Sequence, residues 1–248
     1  MQSICSFIQS RNCRLKTLHL YSNQIGDEGA IALANALKSE HCGLEDFALF
    51  RNQIGYKGAT ALANAIQNEH CRLKRLILAY NKIGDEGAAA LASAVQFGHC
   101  SLEFLILSYN RIGDRGFAGL AYAFQSERCK LEGLDLSANR IGDLGALAFA
   151  NASQFGNCSL KWLLLDFNQV GDEGASMIAD AIRTEEWNDF SLSILHNNYG
   201  KEGRHALLFT QMCVGKVECD EDPESEYYDE EEEEEDDEED ADGLENYW

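Results

Sequence analysis

Two columns of side chains recur along this 248-residue sequence, and either could in principle do chemistry. Asn23, Asn52, Asn81, Asn110, Asn139, Asn168 and Asn197 are spaced by 29 residues without exception. Cys13, Cys42, Cys71, Cys100, Cys129 and Cys158 keep the same interval, and His41, His70 and His99 directly precede three of them. Thiols beside imidazoles suggest metal binding. Zinc sites, however, pair their ligands within one short loop, and this spacing does not fit them. A small, apolar, buried thiol repeated once per unit is the simpler reading, with metal binding or redox sensing as the alternative. The carboxamide column reads differently. A side chain that both donates and accepts can satisfy backbone groups stranded where a chain bends. A buried structural ladder of these seven asparagines is expected, with an active-site role for any one of them as the alternative. No phosphate-binding loop, nucleophile elbow, His-Glu-x-x-His motif or kinase signature occurs. Neither His19 nor His196 has a nucleophile and a carboxylate suitably placed around it. No catalytic residue, metal or cofactor is expected.

The 29-residue period itself says which elements hold these columns. One unit runs from Leu73 to Gln96 and beyond. Leu76 and Leu78 alternate with outward residues, which is strand behaviour. Gly84-Asp85-Glu86-Gly87 then breaks the strand. Asp85 can cap free N–H groups at a helix start, and the acidic pair suits its positive end. Leu91 and Val95, four apart among alanines, give a helix with one apolar face. Each unit is therefore strand, turn, helix. A lone unit of this kind cannot bury its own apolar face, whereas stacked units bury it continuously.

The pattern L-x-x-L-x-L-x-x-N, carried by Leu73, Leu76, Leu78 and Asn81, resembles the ribonuclease-inhibitor type of leucine-rich repeat. That type also occurs in NOD-like receptors and in Ran GTPase-activating proteins. The resemblance spans roughly residues 4–213. It implies an α/β right-handed solenoid, a horseshoe of about seven repeats with parallel strands on the concave face and helices on the convex one. By strand alternation the outward residues of that face are Phe50, Arg75, Ile77, Tyr80, Phe104, Ile106, Tyr109, Asp135, Trp162, Leu164, Asp166 and Phe167. Exposed aromatic strips mark binding sites, and a protein partner here is the leading reading. Packing of the rings on one another is the alternative.

Charge divides the chain in two. Residues 1–216 hold 22 acidic and 20 basic side chains, while residues 217–248 hold 20 acidic and no Lys or Arg. So neutral a body lacks the basic footprint of a nucleic-acid binder. Asp229–Asp240 is an unbroken acidic run that cannot collapse on a core. We expect a solenoid over 1–216 and an acidic disordered tail over 217–248. The tail has three readings: solvation, capture of a basic protein, and folding back on the body. Residues 1–14 read as a truncated first repeat or a cap. Residues 189–216 read as a degenerate last repeat or cap: Asp189 stands where Leu recurs, Trp187 where Cys recurs, and extra polar residues interrupt the helix end near 183–188. The N-terminus does not read as a secretory leader, so the nine cysteines read as reduced thiols in the cytoplasm, nucleus or perinuclear region. No stretch is apolar enough for a membrane span. The function expected is a non-enzymatic interaction scaffold. A regulator of a small GTPase resembling the Ran activators, and a detached sensor of a NOD-like receptor, are the other readings.

Overall fold

The computed structural model describes residues 2–97, 99–154, 159–183, 187, 189–211 and 216–220. Strands and helices alternate. The helices are α1 (Gln2–Ile8), α2 (Gly26–Leu37), α3 (Tyr56–Ile66), α4 (Gly84–Phe97), α5 (Asp114–Ala123), α6 (Asp143–Ser153), α7 (Asp172–Ile182) and α8 (Lys201–Gln211). Between them run β1 (Thr17–His19), β2 (Asp46–Ala48), β3 (Arg75–Ile77), β4 (Phe104–Ile106), β5 (Gly133–Asp135), β6 (Trp162–Leu164), β7 (Ser191–Ser193) and β8 (Lys216–Glu218). The eight strands form one parallel sheet in chain order. From β1 to β7 each residue pairs with the one 29 positions on, as Leu76 does with Leu105. This is the α/β solenoid that the period implies.

The core lies between sheet and helices. Phe47, Leu76, Leu105, Leu134, Leu163 and Leu192 point into it from strand centres. Pairs four apart, such as Leu62 with Ile66 and Leu91 with Val95, meet them from the helices. Large and small residues exchange places between neighbouring units. Phe117 occupies the slot of a recurring alanine and stacks on Phe149 at 6.0 Å, and Trp187 closes the cluster 5.8 Å from Phe149. Ser153 is correspondingly small where other units carry Ile66 or Val95.

Each inner asparagine joins two units. Asn110 Nδ2 donates to the carbonyls of Leu78, Leu107 and Ser108, and Asn110 Oδ1 accepts the Ile83 amide. Asn52, Asn81, Asn139 and Asn168 are likewise buried and bonded across units. The ends depart from a uniformly buried ladder: Asn197 is half-buried and Asn23 is exposed. Asn23 Nδ2 bonds within its own turn, to the Tyr21 carbonyl, and among the described residues to no other unit.

The turn aspartates behave otherwise than expected. Asp85 does not cap the helix it begins. Its Oδ1 accepts the amides of Gly113, at 2.6 Å, and Gly116, at 3.1 Å, in the following unit. Asp27, Asp114, Asp143 and Asp172 do the same for their successors. Tyr56 breaks this column ahead of Gly84, and no described aspartate accepts the Gly26 amide. At those two places the glycine switches: Gly26 and Gly84 take φ of +60° and +63°, and their amides donate forward to the carbonyls of Asn52 and Asn110. Without an acceptor in the preceding unit the N–H turns towards the next one, a backbone conformation open to glycine at little cost.

The C-terminal end differs from its expected form in two ways. The sheet runs past residue 216, because β8 pairs with β7 and buries Val217. β8 follows β7 after 25 residues rather than 29, so periodicity could not reveal it. The degenerate repeat also keeps the register, with Ser191 paired to Trp162, so the polar residues near 183–188 add no net length. Phe190 and Trp187, in edge contact at 4.6 Å, replace the missing leucine and cysteine in the core. Tyr199 stands where earlier units carry Ile or Val, and its hydroxyl donates to the Ile194 carbonyl and accepts the Asp220 amide. Burial pushes its phenol up. The acidic run lies outside the described residues.

Candidate functional site

One backbone position builds the outer edge of the concave face. Ser22, Arg51, Tyr80, Tyr109, Ala138, Phe167 and His196, each directly before a ladder asparagine, all have φ between 53° and 58°. Left-handed backbone is costly for residues with a Cβ. Here the next unit and the asparagine hold it in place: the Tyr80 amide donates to Ser108 O, and Asn81 Nδ2 to Ala79 O. The conformation throws each of these side chains out at the C-terminal ends of the strands.

Aromatic residues in this column stack in two groups. Tyr80 and Tyr109 lie parallel at 3.9 Å, and Phe50 meets Tyr80 edge-on at 5.0 Å. The neighbouring Tyr109 hydroxyl pushes the Tyr80 phenol up. Phe167 stacks on His196 at 4.4 Å, and Ala138 leaves the gap between the groups. Tyr80, Tyr109 and Phe167 stay 43%, 45% and 56% exposed. The first group continues into an open apolar depression lined by His19, Tyr21, Ala48, Phe50 and Ile77.

The concave floor is more self-contained. Gly133 lies between Phe104 and Trp162 in the sheet register. The Trp162 ring covers it so closely that a Cβ there would stand 2.1 Å from the indole. Phe104 and Trp162 therefore stack at 6.1 Å across the intervening strand. Arg75 sits 5.3 Å from the Phe104 ring centre and 3.2 Å from Asp46. Phe104, Trp162, Ile77 and Leu164 are half-buried and Arg75 exposed. Two residues expected to face outward offer little surface: Ile106 is 8% exposed and Asp135 9%. Ile106 is flanked in register by Ile77 and Asp135, and Asp135 by Ile106 and Leu164, while Asp135 Oδ1 is occupied by the Ser137 amide.

Charges on this face are ordered. Lys16 with Glu45, Lys74 with Glu103, and Lys161 with Glu132 form ion pairs between adjacent units at 2.6, 3.8 and 2.8 Å. Asp166 accepts the Ser193 hydroxyl at 2.6 Å and the Leu195 amide at 2.8 Å. Its carboxyl is nonetheless pushed up, mainly by burial, against which those two bonds act; Asp135 and Glu218 raise it further. Sequence reasoning did not single out the stack of His196 on Phe167 or the basic side chains Lys82, Arg111 and Arg140 beside the asparagines. The visible signal was position relative to the asparagine column.

Burial pushes up the thiols of Cys42, Cys71, Cys100 and Cys129, that of Cys100 to about 12. They are poor nucleophiles and poor metal ligands; Cys158 lies outside the described residues. Among the described residues no three His, Cys, Asp or Glu side chains are grouped to hold a metal. No described helix is long and apolar enough to cross a membrane.

The Leucine Rich repeat family pattern matches residues 11–34, 42–63, 70–92, 98–121, 129–150 and 156–179, more than half of the chain. No curated protein matches it. Among solved structures, the chain is similar to actin-binding site 2 of leiomodin-1, with 17% identity, a TM-score of 0.46, and coverage of 63% of this chain and 87% of that one. It is also similar to an internalin from Listeria monocytogenes, with 17% identity, a TM-score of 0.44, and coverage of 75% of this chain and 49% of that one.

Proposed function

Because the chain belongs to the Leucine Rich repeat family, whose fold generally mediates protein–protein interaction, we propose that it is a non-enzymatic scaffold that binds a protein partner on its concave face. The observation that carries this reading is the ledge of exposed Tyr80 and Tyr109 with half-buried Phe50, running into the apolar depression at Ile77. Stacked rings on a fixed backbone present apolar area with little motion left to lose, and aromatic anchors of this kind dominate binding energy. Phe167 with His196 forms a second, smaller contact. The floor formed by Trp162 and Phe104 supports the shape of the face more than it offers contact.

Affinity capture with the natural chain and a Tyr80→Ala/Tyr109→Ala variant tests the reading. Both residues are solvent-facing, so melting temperature is expected to change by less than about 3 °C. Proteins retained by the natural chain should be lost from the variant. Identical captured sets with unchanged melting would remove the ledge as the binding site. Stimulation of GTP hydrolysis by a small GTPase of the Ran class, tested with the same pair, would place the scaffold in a regulatory setting.

A further inference from the structure

The rim beside the aromatic ledge carries a second pattern. Arg51, Lys82, Arg111 and Arg140 are exposed in four successive units, directly beside ladder asparagines. The Lys82 amide donates to Ile54 O and the Arg140 amide to Ile112 O, so each of these two is tied to the turn of the unit before it. The units that carry these residues follow one another at the strand spacing of about 5 Å. The concave lysines Lys16, Lys74 and Lys161 are paired with glutamates, but these four cations have no carboxylate within ion-pairing distance among the described residues. They form a basic rail along the Tyr80–Tyr109 stack, which suits a segment that is both acidic and extended.

The chain supplies such a segment. All strands are parallel, so Asp220, just after β8, stands at the same edge of the sheet as the rail. Four strand spacings, roughly 20 Å, separate β8 from the unit of Tyr109 and Arg111. Residues 221–229 can span up to about 30 Å, so the twelve acidic residues Asp229–Asp240 begin within reach of the rail. The exit point itself is acidic: Asp135, Asp166, Glu218 and Asp220 lie around β5–β8, which repels the run from the nearer floor. We propose that segment 229–240 of this same chain lies along the rail of Arg51, Lys82, Arg111 and Arg140 and covers the Tyr80–Tyr109 stack. A tail held there shields the ledge until a partner displaces it, and salt weakens the contact.

Zero-length carbodiimide coupling of the full chain tests this without any partner, so its outcome is separate from that of the scaffold reading. An equal mixture of isotopically light and heavy chains is coupled at low concentration in 20 mM and in 1 M NaCl, and the linked peptides are identified by mass spectrometry. Lys82 is expected to couple to residues 229–240 within single chains, at least about tenfold more than Lys130 on the opposite edge of the sheet does. The preference should fall to near parity in 1 M NaCl, where screening reaches only about 3 Å, and in an Arg111→Glu/Arg140→Glu variant that melts as the natural chain does. The salt comparison on the natural chain gives the answer by itself if that variant fails to fold. Coupling spread evenly over Lys82 and Lys130, no coupling at Lys82, or links only between light and heavy chains would each overturn the proposal.

Discussion

The ladder asparagines show how much one side chain can hold. Replacing Asn110 leaves the Ile83 amide without its acceptor and takes one of two donors from the carbonyls of Leu78, Leu107 and Ser108, which keep Asn81 Nδ2, Asn139 Nδ2 and the Tyr80 amide. Unsatisfied buried groups cost about 1–3 kcal/mol each, partly relieved by local rearrangement. Asn110→Ala is expected to lose about 2–3 kcal/mol in urea denaturation. Asn23→Ala, at an exposed position whose side chain makes one bond to its own turn, should lose less than about 1 kcal/mol. Equal losses at both sites would mean that the amide matters for its own turn and not as a bridge. Asp166 makes a prediction of opposite sign. Burial raises its folded-state pKa above the unfolded value. Its protonated form is therefore favoured by folding, and that contribution is lost as pH rises through the raised value. Asp166→Asn keeps an acceptor oxygen for the Ser193 hydroxyl and the Leu195 amide. It should melt higher than the natural chain at pH 7 and show no such advantage at pH 3, where the carboxyl is protonated in both states. Melting curves at the two pH values read the difference directly.

At the scale of the element, the turn between strand and helix takes one of two forms, and the preceding unit selects it. Where an aspartate lies behind, the glycine is extended, as Gly113 is with φ −106°; where Tyr56 lies behind, Gly84 is left-handed at φ +63°. The same substitution in the same column should therefore act differently. Gly84→Ala is expected to cost about 1 kcal/mol. At Gly113 an alanine Cβ would make ordinary contacts with Asp85 at 3.5 Å, and the change should be neutral or slightly stabilising. Asp114→Ala removes the acceptor for the Gly142 and Gly145 amides, at 2.7 and 3.0 Å, and should cost about 1–2 kcal/mol. Thermal melting of the three variants checks the pattern; matching losses at Gly84 and Gly113 would contradict the two-form turn. The aromatic ledge has a related origin. Its rings project because the residue before each asparagine is left-handed in every described turn, whatever its type.

Across the whole molecule, stability accumulates through contacts between neighbouring units, and the ends therefore matter more than their size suggests. β8 closes the sheet beside β7, buries Val217, and ties the Tyr199 hydroxyl and the His196 amide to Asp220. Ending the chain at residue 215 exposes the edge of β7 and removes these bonds, a loss of about 3 kcal/mol. For a body of this size that is roughly 6–12 °C in melting temperature. Ending it at residue 220 leaves these contacts intact and should shift melting by less than about 3 °C. Equal shifts for the two truncations, read by calorimetry, would deny β8 its role as a cap.

The sequence by itself determined the period, the stacking of strand–helix units, the core columns and the recurring asparagines. Identical side chains at a constant interval can satisfy their apolar faces and amide groups together only when the units stack in register. Tertiary structure alone decided what non-identical neighbours do to one another. Asp85 serves the helix after its own because that turn, not its own, brings amides to its carboxylate. Trp162 leans on Phe104 because Gly133 between them has no side chain. Ile106 and Asp135 are closed off by their neighbours in the sheet, which no single unit records. β8 arrives off the period, held by an edge bond to β7 and by Tyr199, so a reading based on repetition could not anticipate it. Repetition encodes what the units share, while contacts in space also depend on how they differ.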